Sequence, residues 1–287
     1  MKYWAVVWNT WQEAWAKKTA VVLAVVVGAL LVSYAVGLRV ESTDDPGRVD
    51  VYVFGIGATP DPGVANPIMA FSRQQVATFS ALGALGLLTP WGVVLALFIT
   101  TALLSGALQA PRLYWVLSKP LARSGFLLGK FGGALLLVLG TTAVFVLCMS
   151  GLIAWKLNTF SAALIGGGLL VVFDYAVLSS VALLVAVWTQ NTSISLVAAL
   201  AVYGGSGAFY VLHGPQVYGM LSPLVRDITD ALYLILPKTA DVEALSRSWV
   251  SAQGLDLGEL TYALGSSATF MVAMLGLSLW AFGRRDF

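Results

Sequence analysis

Asp174 is the residue whose position in this sequence most clearly suggests chemistry. It lies near the middle of the apolar stretch Ala162–Trp188, where a charged side chain costs at least about 2.5–3.5 kcal/mol on insertion scales. The carboxyl group must therefore contact protein or water, find a partner, or keep its proton. Either Asp174 lines a substrate path or ion relay, or it forms a hydrogen bond to a neighbouring helix. No Lys, Arg or His deep in an apolar stretch offers a relay partner, which favours the second interpretation.

A polar stripe in the next apolar stretch is a second candidate. Tyr203, Ser206, Gly207 and Tyr210 are spaced so that they share one face of a helix. Small residues on such a face allow two helices to approach closely. The stripe indicates either a packing seam or the lining of a lateral path. Asp174, Tyr203, Ser206 and Tyr210 are therefore the candidate path residues.

Other signals for enzymatic chemistry are weak. The chain has one histidine, His213, and one cysteine, Cys148, too few for a His/Cys metal cluster or an internal disulfide. A phosphate-binding loop is excluded, because Ser124 stands where its first glycine belongs and Phe131 where its Ser or Thr belongs. We predict no metal site, no bound cofactor and no catalytic residue. An intramembrane enzyme using Asp174 is the weakest hypothesis, since a second catalytic group at helical spacing is missing.

The composition is that of a membrane protein. Of the 287 residues, 59% are hydrophobic and 10% are charged, with a mean hydropathy of +0.85. A soluble domain carries roughly a quarter charged residues, and a membrane helix needs about 20 mainly apolar ones. We predict an all-α membrane protein with six transmembrane helices in a single transmembrane domain, residues 1–287. The six predicted spans are Thr19–Val40, Trp91–Leu108, Phe126–Trp155, Ala162–Trp188, Ile194–Leu212 and Thr261–Phe282.

The apolar run Val76–Thr89 precedes the second predicted span and ends at Pro90. As a helix it would be about 21 Å long, which is too short to cross a bilayer alone. It is interpreted either as the outer part of a tilted, proline-kinked second helix or as a re-entrant piece. A seventh crossing would also place Arg284 and Arg285 outside, against the charge rule.

Charges are distributed unevenly between the two sides of the predicted membrane. With the N-terminus inside, the cytoplasmic segments hold nine basic and two acidic residues, and the outer segments hold seven basic and eleven acidic residues. Short cytoplasmic loops are enriched in Lys and Arg. This pattern places both termini in the cytoplasm. It predicts a multi-pass plasma membrane protein, with a prokaryotic inner membrane as the expected location.

Two longer loops are predicted on the outer side, residues 41–75 and 213–260. In the first loop, alternating residues over Arg48–Phe54 between turn signals predict a short strand or hairpin. In the second loop, Ile228–Leu236 is apolar but too short to span. It is expected to lie at the outer interface as a helix that stops at Pro237.

The first 18 residues carry four tryptophans at helical spacing, and tryptophan favours the membrane interface. They are interpreted as an aromatic anchor, or as an amphipathic elbow helix on the cytoplasmic leaflet beside the segment Gln109–Lys130. That segment joins spans two and three, and it has four basic residues and no acidic one. Its pattern predicts a short cytoplasmic helix within residues 109–125 that contacts a cytoplasmic partner.

The same segment resembles a pattern in ABC-2 type transporter permeases, in which a coupling helix leads into the third span. Here the pattern stands as Leu117-Ser118-Lys119-Pro120, then Arg123, then Leu128-Gly129-Lys130. The polar turn Val185–Ser195 is similar to the family's connection between spans four and five. The ending Phe282–Phe287 is similar to the family's C-terminus.

The resemblance implies a six-span permease subunit of the single-module type. Such a subunit couples ATP hydrolysis by separate ATPase subunits to substrate export or force transmission. Expected partners are an ABC ATPase that holds ATP and Mg²⁺, a second copy of the chain or a paralogous permease, and the lipid bilayer; nucleic acid is not expected. The alternative is a non-transporting anchor subunit of a larger complex. The residues expected to contact the ATPase are Arg112, Leu113, Tyr114, Trp115, Leu117, Lys119, Pro120 and Arg123.

Overall fold

The computed structural model describes residues 2–16, 18–42, 48–53, 71–108, 122–251, 254 and 256–284. Most of the short coupling helix predicted within residues 109–125 lies outside the described residues, because the description resumes only at residue 122. All the expected ATPase contacts except Arg123 therefore lie outside them too. The last three residues and much of the first predicted outer loop also fall outside.

Six helices are long and apolar enough to span a membrane, which confirms the predicted helical membrane fold. One N-terminal helix precedes them, and three shorter helices lie between the fifth and sixth spans. The helices are α1 (Lys2–Ala16), α2 (Thr19–Gly37), α3 (Arg73–Leu87), α4 (Val93–Ala107), α5 (Arg123–Leu157), α6 (Ala162–Thr189), α7 (Thr192–His213), α8 (Pro215–Tyr218), α9 (Pro223–Ile235), α10 (Thr239–Val250) and α11 (Leu257–Gly283).

The second span is one long helix with an internal π-helical segment, Leu88–Gly92, that joins α3 to α4. Pro90 lies inside this segment. Proline has no N–H to donate, and its ring clashes with the carbonyl four residues earlier, so a regular helix cannot pass through it. Just before it, the Thr89 hydroxyl donates to the Leu85 carbonyl at 2.5 Å. Val76–Thr89 is therefore the first part of the second span, which begins at Arg73 rather than Trp91.

The first span ends at Gly37, not at Val40, because the chain turns there into an antiparallel sheet. The strands are β1 (Leu38–Ser42), β2 (Arg48–Val53) and β3 (Phe71–Ser72). β2 pairs with both neighbours and lies where the sequence alternation predicts a strand. The sheet joins α2 to α3, so the end of the bundle that carries it is called the sheet side. The opposite end, which carries α1 and the end of α11, is called the terminal side.

α6 is the central helix of the bundle. In its most apolar window 83% of residues are buried, compared with 17% in α2, α7 and α11. It contacts α3, α4, α5, α7, α10 and α11. At its sheet-side end, three consecutive glycines each face a different neighbour: Gly166 meets Trp249 of α10, Gly167 meets Leu85 of α3, and Gly168 meets Val146 of α5. The triple glycine is therefore a packing seam.

α1 packs along the terminal-side half of α5. Thr10 of α1 lies so close to Gly133 that a Cβ atom there would sit 2.7 Å from the threonine Cβ. Lys130 is 4% exposed, and its ammonium donates to the Glu13 carboxylate at 2.8 Å. The chain turns from α1 into α2 at Lys18, which has a φ of 60°. The predicted N-terminal helix is present; its location at the membrane surface stays a prediction.

α9 and α10 form a helical hairpin whose tip lies below the sheet-side ends of the spans. At the tip, the Lys238 amide donates to the Ser267 hydroxyl of α11 at 2.9 Å, and the Thr239 hydroxyl lies 2.9 Å from the Ser206 hydroxyl of α7. Ser206 is seven residues from the end of α7, and Ser267 is ten residues from the start of α11. At 1.5 Å per residue these positions are roughly 10–15 Å deep. α9 is the predicted helix that stops before Pro237. The contacts at the tip indicate a re-entrant hairpin, and the position of α9 relative to the membrane interface stays a prediction.

The depth of this hairpin in the membrane can be tested by comparing thiol labelling at two positions, one before the start of α9 and one at its end. In a Cys148→Ser background, we expect Met220→Cys to react quickly with a membrane-impermeant thiol reagent and Ile235→Cys to stay unreacted in sealed vesicles. In the isolated chain both side chains are exposed, Met220 by 86% and Ile235 by 66%, so only the membrane or an adjoining chain can protect Ile235. Both cysteines should react after denaturation in detergent. Equal labelling in vesicles would contradict the re-entrant arrangement.

The glycine seam gives a second prediction. Gly168→Ala should lower the thermal unfolding temperature, because the new methyl group would lie 2.7 Å from a Val146 methyl group, and overpacking costs about 1–3 kcal/mol. Gly204→Ala is the matched control, since its methyl group would meet nothing within 4 Å and alanine favours helix by up to about 1 kcal/mol. Equal melting temperatures for the two variants would show that the seam does not require glycine.

Candidate functional site

Asp174 lies on α6 inside the bundle and is 2% exposed. Its Oδ1 atom has no hydrogen-bond partner among the described residues. The nearby charged and polar groups come from other helices: Asp174 interacts electrostatically with Glu243 of α10 and with Tyr203 of α7. The carboxyl group is therefore held between three helices, and the expected hydrogen bond to a neighbouring helix is not seen for Oδ1.

Glu243 is the functional candidate that the sequence analysis missed. Glu243 lies on α10 close enough to interact electrostatically with Asp174, whereas sequence alone placed it in an outer loop. Its Oε1 atom accepts a hydrogen bond at 2.5 Å from Nη2 of Arg247, one helical turn later. The Arg247 side chain is 51% exposed, whereas that of Glu243 is 14% exposed. The charge of Glu243 is therefore compensated by the exposed Arg247.

This arrangement can hold a proton or a cation between α6, α7 and α10. Two carboxyl groups close together repel when both are ionised, so binding a positive charge relieves the repulsion. Arg247 already compensates Glu243, which leaves Asp174 as the member that lacks a counter-charge in the described structure. Asp174 and Glu243 are not well described as two carboxyl groups that share one proton, because Glu243 already forms an ion pair with Arg247.

The predicted polar stripe on α7 is divided among three environments. Tyr203 is half-buried beside the Asp174 cluster and packs against the main core. Ser206 is 4% exposed and holds the start of α10, accepting from the Ala240 amide at 3.1 Å. Tyr210 is 42% exposed and lies nearer the hairpin. Of the four candidate path residues, Asp174 and Tyr203 therefore lie together, Ser206 serves helix packing, and Tyr210 lies apart from the other three.

A second polar cluster surrounds the tip of the hairpin. Lys238 is 1% exposed, and its ammonium lies 3.3 Å from the ring centroid of Tyr233 and 5.0 Å from that of Tyr262. Burial lowers the pKa of Lys238, and the Asp241 carboxylate opposes that shift. Burial and a hydrogen bond to Asp241 raise the pKa of Tyr233, so its hydroxyl stays protonated and donates to Asp241 at 2.6 Å. These contacts stabilise the ammonium group of Lys238 although the side chain is not exposed to solvent.

His213 belongs to the edge of this second cluster. Its ring stacks on Tyr233 with centroids 4.1 Å apart, and its Nε2 lies 3.2 Å from Asp230 Oδ1. The Tyr218 hydroxyl donates to the same carboxylate at 2.9 Å. In the part of the chain that the structure describes, three or more His, Cys, Asp or Glu side chains nowhere gather as a metal ligand set. His213 therefore serves to pack and orient the hairpin.

On the terminal side, several contacts surround the ends of the predicted coupling segment. α4 ends beside the start of α7, where the hydroxyls of Ser105 and Thr192 lie 2.5 Å apart. α5 begins at Arg123, whose Nη1 donates to the carbonyl of Gly283 at the end of α11 at 3.4 Å. The segment 109–121 thus starts and finishes at a place where α4, α5, α7 and α11 meet. Arg123 is the one expected ATPase contact whose position the structure gives.

The environment of Asp174 leads to a prediction about thermal stability. Asp174→Asn and Asp174→Leu should both keep or raise the thermal unfolding temperature, because each removes a buried ionisable group whose Oδ1 atom has no hydrogen-bond partner among the described residues. Ser180→Ala on the same helix is a control for buried polar groups, since Ser180 is fully buried and bonds only its own helix. A drop for the leucine variant equivalent to about 1–3 kcal/mol, the cost of an orphaned buried partner, would show that Asp174 is a structural tie.

Comparison with known proteins yields no relative. No family model matches this chain, and no curated protein matches it. The functional assignment therefore depends on the chain's own residues. They are the basic segment between α4 and α5 with its flanking contacts, and the cluster of Asp174, Tyr203, Glu243 and Arg247 inside the bundle.

Proposed function

We propose that this chain is the membrane permease subunit of an ATP-binding cassette transporter of the ABC-2 type. The observation that carries the proposal is the basic sequence Gln109–Lys130, whose described flanks, the end of α4 and the start of α5, lie on the terminal side. In this proposal two copies, or one copy and a paralogous permease, sit on two ATPase subunits that hold ATP and Mg²⁺. The complex lies in a prokaryotic plasma membrane with both termini of the chain in the cytoplasm.

The contacts around the segment support a mechanical role. A force on residues 109–121 acts directly on the ends of α4 and α5. The hydrogen bond from Arg123 to Gly283 extends that force to α11, and the buried ion pair between Lys130 and Glu13 extends it to α1. A buried ion pair is costly to separate once formed. These helices therefore move together when the segment moves.

The Asp174 cluster supports the transport half of the proposal. α10 covers α6 and α7 from the sheet side, with Trp249 over Gly166 and Thr239 against Ser206. Beneath it lie the buried carboxyl group of Asp174 and the half-buried Tyr203. A shift of the hairpin would open this polar cluster toward the sheet side, as alternating access requires. In a functional complex we expect Asp174→Asn to reduce transport-coupled ATP hydrolysis while the subunits stay assembled.

Pull-down of the tagged chain from its native membranes tests the ATPase partner. Trp115→Ala with Leu117→Ala should remove a co-purifying ATPase, because central aromatic residues at interfaces are each worth about 2 kcal/mol or more, which corresponds to a roughly thirtyfold weaker complex. The matched control is Trp155→Ala with Leu147→Ala on α5, side chains that are exposed by 77% and 58% elsewhere on the chain.

The outcomes of this pull-down separate the two functional hypotheses. Loss of the ATPase in the first variant alone supports the coupling role. An ATPase that binds the wild-type chain but hydrolyses ATP at the same rate with and without it favours the non-transporting anchor subunit. Absence of any co-purifying ATPase, or equal recovery with both double variants, would contradict the proposal.

A further inference from the structure

A deep cleft separates α2 from α3 and α5 on the sheet side. Its volume is about 650 Å³, within the usual range of roughly 300–1,000 Å³ for small-molecule sites. Its walls are apolar side chains and glycines, apart from Ser33, Tyr34 and Ser80. All three walls are membrane spans, so in a bilayer the cleft opens toward lipid rather than toward water.

The cleft continues deeper into the bundle. A second cavity of about 190 Å³ shares Leu30, Leu87 and Phe145 with the first and reaches Leu23 of α2. The π-helical segment at Pro90 displaces α3 from α4 at this level and leaves room beside α2. From Leu38 at the mouth to Leu23 at the bottom the groove is roughly 20 Å long along α2. One leaflet of a hydrocarbon core is about 15 Å thick, so the groove accepts an extended acyl chain.

The mouth of the cleft is basic. The Lys156 ammonium donates to the carbonyls of Ala35, at 2.6 Å, and Leu38, and Leu38 lines the cleft. Arg39 follows directly, is exposed, and is close enough for its charge to interact with that of Lys156. Two positive charges at the headgroup level attract an anionic group, while the carbonyls satisfy only part of the ammonium's three donors.

Below the mouth are two neighbouring hydroxyl groups, those of Tyr34 and Ser80. The Tyr34 hydroxyl is buried and interacts with the Ser80 side chain of α3, although no hydrogen bond of ordinary geometry joins the two groups. Tyr34 lies one helical turn before the end of α2. Ester carbonyls lie between the phosphate and the acyl chains of a phospholipid. They would reach this donor when the phosphate is beside Lys156 and Arg39.

We propose that the cleft binds one acyl chain of an anionic phospholipid taken from the leaflet on the sheet side, with its phosphate beside Lys156 and Arg39. The order from the mouth inward is positive charge, hydroxyl donor and apolar groove, which is the order of phosphate, ester and hydrocarbon in such a lipid. A protein segment would leave its backbone groups unpaired in the apolar groove. The inference does not rest on the proposed transporter function, because it uses only contacts within one chain.

Gly83 provides a direct test of occupancy. It lines the cleft, and a Cβ atom added there would meet nothing within 4 Å. Gly83→Leu should therefore fill the groove without disturbing the fold. Gly86→Leu is the matched control, because Gly86 is exposed on the same helix, also meets nothing within 4 Å, and does not line the cleft. Equal thermal unfolding temperatures would establish that both variants are folded.

The probe is a phosphatidylglycerol with a photoactivatable group on its acyl chain, carried in phosphatidylcholine vesicles that contain the full chain. Crosslinks should map to residues of the groove such as Leu30, Phe79 and Phe145. Gly83→Leu should lower their yield about tenfold, because its side chain displaces several methylene groups of the lipid, and Gly86→Leu should leave the yield unchanged. Labelling outside the groove, or equal yields from the two leucine variants, would overturn the proposal.

The headgroup is tested with a phosphatidylcholine that carries the same photoactivatable chain. The wild-type groove should prefer the anionic lipid several-fold, since each basic residue near a membrane surface favours anionic lipid by about fivefold. Arg39→Gln with Lys156→Gln should bring the ratio close to one, and glutamine keeps a donor for the carbonyls at the end of α2. Equal labelling by both lipids in the wild-type protein, or an unchanged preference in the double variant, would refute the anionic headgroup.

Discussion

The rest of this structure depends on how closely other helices approach α6. Inside a bilayer the hydrophobic effect does not drive helices together, because lipid tails are as apolar as the side chains. Association therefore needs dense packing, and dense packing needs small residues at the contact. Gly166, Gly167 and Gly168 supply this at the sheet-side end of α6, where Trp249, Leu85 and Val146 occupy the space that side chains would take. Three separate parts of the fold are positioned by three adjacent residues.

The hairpin of α9 and α10 shows what a polar part of the chain needs in order to pack between the spans. Its tip exposes backbone N–H groups at the start of α10, and unpaired groups at that depth are expensive. Ser206 and Ser267, on two different spans, pair with these groups. Lys238 is compensated by the faces of Tyr233 and Tyr262, an interaction that strengthens when the cation is desolvated. The hairpin is therefore held by specific partners from α7 and α11, not by apolar contact alone.

The sequence predicted the membrane helices well because their signal is local. A run of about 20 apolar residues identifies a span wherever it occurs, and five of the six spans were placed within a few residues at most ends. The second span was predicted too short, since Arg73, Gln74 and Gln75 make its first turn polar and Pro90 interrupts it. The end of the first span was missed because Leu38 and Val40 are as suitable for a strand as for a helix.

The depth of the hairpin and the neighbour of Asp174 could not be predicted in the same way. Charged residues such as Lys238, Asp241 and Glu243 indicate an outer loop by local composition, and only tertiary contacts reveal that they are carried inward. The pairing of Glu243 with Arg247 is local, at one helical turn, and was recoverable from sequence. Its approach to Asp174 was not, because it depends on how α10 is seated on the glycines of α6.

The second span connects the two ends of the molecule physically. Its α3 half forms a wall of the lipid-facing cleft, and its α4 half ends where the basic segment 109–121 begins. The π-helical segment between them interrupts the regular hydrogen-bond ladder, and such interruptions are the places where a helix bends most readily. A displacement of the basic segment that tilts α4 would therefore be absorbed at Leu88–Gly92, the level at which the two cavities share Leu87. A lipid in the groove and a displacement of the terminal side would therefore both act on this one helix.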